Sequence, residues 1–165
     1  MPLKLLVDIC LLRAAPQDLP VSRPAMLVAL VAYAAAGVLG VLDVFAFESA
    51  VLAAVVDTLL LAAVTHLVLQ WRQLENRLTQ TLTALAGCGA LLSLLAWGAA
   101  GLVREVFQPE WVWAGLLVWY TLVFGHILRH ALSIPLAAGV AASLLYLMLS
   151  MGVTGFFMGQ PAVTN

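Results

Sequence analysis

The residues able to do chemistry in this chain are few, and they stand in apolar surroundings. Asp57 interrupts an apolar run over residues 49–70. A carboxyl at bilayer depth is costly and has to face protein or water. There it would hold a proton or a cation, or anchor a bound molecule. The competing reading is a structural carboxyl, protonated or hydrogen-bonded, that ties helices together. Tyr33, Tyr120 and Tyr146 each fall near the centre of another apolar run. Tyrosine normally sits at the membrane interface, where its hydroxyl stays wet. A buried hydroxyl needs a partner. One polar layer shared by Asp57, Tyr33, Tyr120 and Tyr146 satisfies all four groups. Separate bonds from each tyrosine to a nearby backbone carbonyl are the blander solution.

The three histidines are His66, His126 and His130. His66 precedes Gln70 by one turn. His126 and His130 are four residues apart and share a face if the helix continues that far. His66 with His126 is a pair of the kind that ligates a haem or a metal, as in membrane anchors of quinone-linked complexes. Zinc and haem motifs need tighter ligand sets than this spacing offers, which favours interfacial histidines bonded to loop carbonyls. Asp57 and His66 are nine residues apart and point in opposite directions on a helix, so they form no local dyad. Cys10 and Cys88 lack metal-ligand spacing and read as two inert buried thiols. The sequence has no Gly-rich phosphate loop, no Gly-x-Ser-x-Gly, no His-Glu-x-x-His and no Cys-x-x-Cys. No enzyme activity, cofactor or bound metal is therefore expected. The net charge of −1 argues against a nucleic-acid partner, and there is no polybasic run for anionic lipid.

The elements that must position these residues follow from composition. Of the 165 residues, 64% are hydrophobic and 9% charged, and the mean hydropathy is +1.09. A soluble domain is about 45–50% apolar and about 25% charged. Lipid is the solvent that accommodates the excess, so the expected fold is all-α: a polytopic transmembrane bundle of about five spans. Residues 3–12 read as a short helix, interfacial or tucked under the bundle, with Lys4 and Asp8 one turn apart. Asp8 breaks its apolar run and Arg13 follows, so it is not read as a signal peptide and Met1 is expected to be retained. Pro16, Pro20 and Pro24 exclude a continuous helix through the connector, which closes the first segment at residue 23. The bundle then covers 24–157, with spans at 24–42, 49–70, 79–102, 111–128 and 134–157. A tight turn is expected over 129–132, and a mobile, uncharged tail over 158–165.

Small residues recur where helices would touch: Ala34, Ala35, Ala36 and Gly37 with Gly40, Gly98 with Gly101, and Gly139 with Ser143. Basic residues set the orientation. With the N-terminus in the cytoplasm and the C-terminus outside, six of the seven Lys and Arg lie inside: Lys4, Arg13, Arg23, Arg72, Arg77 and Arg129. Only Arg104 lies outside, with the acidic residues Asp43, Glu48, Glu105 and Glu110. Phe45, Phe47, Trp111, Trp113, Phe156 and Phe157 mark the outer boundary and Trp71 the inner one.

Five closely spaced spans after a short arm ending in Pro16-Gln17-Asp18-Leu19-Pro20 give a layout that resembles the Yip-type membrane proteins, whose bacterial relatives are small inner-membrane proteins. The resemblance implies a non-catalytic protein of the bacterial inner membrane, a scaffold or accessory subunit working through membrane partners. The expected contacts are the lipid bilayer and a membrane-protein partner or a second copy. The alternative readings are a small transporter or proton-coupled channel using Asp57, and a haem- or quinone-linked membrane anchor using His66 and His126.

Overall fold

The structure, a computed structural model, describes residues 2–42, 45–103 and 109–158. Six α-helices occur among them, and no strand. They are α1 (Pro2–Cys10), α2 (Arg23–Leu39), α3 (Phe47–Trp71), α4 (Leu78–Val103), α5 (Pro109–Leu132) and α6 (Leu136–Met158). Four segments are long and apolar enough to cross a membrane: α3, 75–99 around α4, 113–132 in α5 and 136–156 in α6. The bundle is thus compatible with an integral membrane protein. The apolar α2 is shorter, at 17 residues.

The helices close into a ring in which α2 packs on α3, α3 on α6, α6 on α5, α5 on α4 and α4 back on α2. The helix α4 is the most enclosed, with 56% of its apolar window buried, against 17% for both α3 and α6. Two glycines allow the closest approaches. A Cβ on Gly139 of α6 would collide with the carbonyl oxygen of Gly125 on α5. A Cβ on Gly89 of α4 would stand 2.6 Å from Cε2 of Tyr33, so Gly89 makes room for that ring against α4. Of the small residues singled out in the sequence, Ala36, Gly139 and Ser143 are buried, whereas Gly98 faces open space.

Helix ends follow local rules. Ser22 caps α2 by accepting from the Ala25 N–H at 3.3 Å, and Pro24 sits in the first turn. Between α1 and α2 the prolines leave one short 3-10 turn, Pro16–Asp18, and then extended chain. Helices α1, α3 and α5 each end with a non-glycine residue in the left-handed region: Leu12 (φ 61°), Gln73 (φ 57°) and Ser133 (φ 55°). In each case the next N–H reaches back to close the end: Arg13 to Asp8 O, Leu74 to Leu69 O and Ile134 to Arg129 O.

The last of these closures corrects one boundary. Residues 129–132 are not a turn but the final turn of α5, because Ser133 takes the reversing conformation that the sequence reading assigned to them. The helix α1 does not stand apart from the bundle. It packs on α4 and α5, with Ile9 and Cys10 buried.

Candidate functional site

Asp57 lies in the middle of α3, on the stripe that carries Ala50, Ala53, Ala54, Leu61 and Thr65 toward the bundle. Because α3 sits between α2 and α6, this carboxyl reaches both neighbours. The Tyr33 hydroxyl of α2 donates to Asp57 Oδ2 at 2.7 Å. From α6, the Tyr146 hydroxyl donates to Oδ1 at 3.2 Å, and the Ser150 hydroxyl makes a short hydrogen bond to the same oxygen. All three partners are hydroxyls.

Tyr33 and Tyr146 are both buried. Tyr120 stands beside Tyr33 but makes no direct hydrogen bond to the carboxyl; its ring stacks on Phe124 at 4.2 Å. Phe124 in turn lies 6.3 Å from Tyr146, centroid to centroid, so the aromatic rings form a wall behind the hydroxyls. The sequence reading missed Ser150. Its signal is spacing: Ser143, Tyr146, Ser150 and Thr154 fall on one stripe of an otherwise apolar helix.

A hydroxyl is both donor and acceptor. Around an ionised carboxylate, all three hydroxyls donate. When the carboxyl is protonated, its own O–H becomes a donor and one hydroxyl turns to accept. Neither protonation state strands a buried polar group. An arginine or a backbone N–H in the same place would satisfy only the ionised form. The cluster is therefore suited to exchanging a proton, and it also joins α2, α3 and α6.

Open space approaches the cluster from two directions. A cavity of about 260 Å³ among α3, α4, α5 and α6 extends from Leu132 and Leu69 to Leu61 and Tyr146. A more open groove of about 400 Å³ runs along α4 and α5 from Trp113 to Tyr120. Both linings are mainly apolar.

The histidines are arranged differently. His66 is exposed on α3. His126 is buried, and its Nε2 is 3.0 Å from the carbonyl oxygen of Ala14 in the connector. His126 and His130 do share a face of α5, with their rings edge to face at 4.6 Å. With Nε2 of His126 at the Ala14 carbonyl, Nδ1 is the nitrogen left to ligate. Among the described residues no group of three or more metal-ligating side chains is assembled. The structure buries Cys10 and Cys88 in the same core cluster, and Cys88 Sγ donates to the Leu6 carbonyl at 3.6 Å. Asp43, Arg104 and Glu105 lie outside the described residues, as does 159–165 of the expected tail.

Compared with protein-family models, curated proteins and solved structures, the chain matches none. Any reading of function therefore rests on the geometry above.

Proposed function

We propose that the chain is a non-enzymatic integral membrane protein of five spans, with α2 as the first, and that Asp57 is its proton-exchanging group in a small transporter or proton-coupled channel. A helix of 17 residues is about 26 Å long, at the short end of what crosses a bilayer. The observation that carries the reading is the enclosure of Asp57 by three hydroxyls and, among the described residues, no cation. Intramembrane carboxyls that face the protein interior mark proton relays and ion paths. In liposomes holding a pH-sensitive dye, the protein is expected to dissipate an imposed pH gradient, and Asp57→Asn to stop it. Equal rates for the wild type, Asp57→Asn and protein-free liposomes would remove the reading.

The second reading is the scaffold or accessory subunit that the Yip-type layout implies. The lightly buried faces of α3 and α6, adjacent in the ring, favour it, since they offer a partner or a second copy a broad apolar surface. Purification in mild detergent is expected to retain a specific membrane partner or a dimer. A monodisperse single chain that conducts protons would sink this reading.

A further inference from the structure

The apolar cavity ends beside a set of arginines, and that conjunction is not needed by the Asp57 cluster. From Leu69 and Leu132 the cavity runs along α3 to Leu61, about 12 Å at the helical rise. Among the described residues, only Thr65, Thr81 and Tyr146 bring polar groups to its lining. A cavity of this character stays dry and takes apolar guests. Leu145 and Leu149 also line it, yet are 68% and 45% exposed, so the cavity opens on the outer surface of the bundle. In a membrane protein that surface is covered by hydrocarbon chains.

At the Leu132 end stand Arg72 and Arg77. Arg72 Nη2 donates to the Leu132 carbonyl at 3.3 Å. Arg77 Nη1 donates to the carbonyls of His130 and Ala131 and to the Ser133 hydroxyl, at 3.0–3.2 Å. These bonds complete the exposed carbonyl end of α5 and fix both guanidiniums beside cavity-lining residues. Arg72 is exposed, and most of its N–H groups remain for another acceptor. Arg129 adds a third positive charge on the last turn of α5; Glu75 and Asp18 are the nearby acids.

We infer that this cavity binds one hydrocarbon chain of an anionic phospholipid whose phosphate is held by Arg72 and Arg77. The inference rests on the membrane reading above but not on Asp57. Basic pockets at the ends of transmembrane helices recognise anionic headgroups by charge, and an apolar slot leading from them fixes one chain. The far end of that chain would meet the Tyr146 ring, whose hydroxyl is bonded to Asp57.

The test uses the whole protein in a neutral detergent, with phosphatidylglycerol and phosphatidylcholine of identical chains as probes. Native mass spectrometry counts retained lipid. Phosphatidylglycerol is expected to be retained one per protein at clearly lower concentration than phosphatidylcholine. Arg72→Gln should cut that preference roughly fivefold, the weight of one arginine at a membrane surface. Ala142→Phe, which fills the cavity, should abolish retention of both lipids, and retention undiminished in that variant would overturn the cavity as the site. Equal retention of the two lipids by the wild type would overturn the proposal, as would a preference untouched by Arg72→Gln. Should Ala142→Phe fail to fold, the surface variant Arg72→Gln decides alone. Release of the protein from membranes by alkaline carbonate would instead sink the membrane reading itself.

Discussion

At the scale of single residues, the stability of the Asp57 cluster and its activity are separable. Tyr33→Phe and Tyr146→Phe each remove one donor and leave the carboxyl with two partners. Interhelical hydrogen bonds in membranes average about 0.6 kcal/mol and reach about 1.7, so each change should lower stability in detergent by that order. Tyr33→Phe should cost more than Tyr146→Phe, because its bond is 2.7 Å against 3.2 Å. Thermal unfolding in micelles reads both. Asp57→Leu removes the polar group itself, and the three hydroxyls can turn to backbone carbonyls. Its expected signature is a folded, stable and inactive protein. An Asp57→Leu chain that cannot fold would mark the carboxyl as structural.

At the scale of elements, the helix ends and one helix crossing make opposite predictions. Leu12, Gln73 and Ser133 hold left-handed backbone that costs an ordinary residue roughly 1–2 kcal/mol relative to glycine. Gln73 is exposed, and its side chain makes no hydrogen bond among the described residues. Gln73→Gly should therefore raise stability by about 1 kcal/mol. Ser133→Gly should gain less, because the Ser133 hydroxyl accepts from Arg77. Gly139→Ala should do the reverse. Its methyl group would press on the backbone of α5 at Gly125, which cannot yield as a side chain can. A loss of about 1–3 kcal/mol is expected from overpacking of this kind. A neutral Gly139→Ala, measured by the same unfolding assay, would show that α5 and α6 separate freely at that level.

At the scale of the whole molecule, orientation is the open quantity. Arg72, Arg77 and Arg129 gather at the end of the bundle where α5 turns into α6, and the connector is bound to the same end. Gln17 Nε2 donates to the His130 carbonyl at 2.6 Å, and Gln80 Nε2 donates to the carbonyls of Gln17 and Leu19. By the positive-inside rule, that end is expected on the cytoplasmic side. In a chain whose native cysteines are replaced, Glu48→Cys should react with an impermeant thiol reagent added from outside, and Asn76→Cys should not. The opposite pattern would invert the topology and place the arginines on the outer leaflet.

The sequence by itself determined the all-helical class and several of the helix ends. Composition pointed to helices apolar enough to cross a membrane, Ser22 and Pro24 started α2, and the apolar setting of Asp57 and the tyrosines singled them out. It did not show which helices are neighbours. In a soluble helix the apolar face is the packing face, and periodicity reveals it. In α3 and α6 the lipid face and the packing face are equally apolar, so rotation about the helix axis leaves almost no trace in the pattern. Tertiary structure alone therefore placed α3 between α2 and α6, gave Asp57 its partner Ser150, left Tyr120 without a direct bond to the carboxyl, and gathered Cys10 and Cys88 into one core cluster. It also decided that Arg72 and Arg77 close the end of α5, because a helix's free carbonyls can be met by any donor the fold carries to them, however distant in sequence.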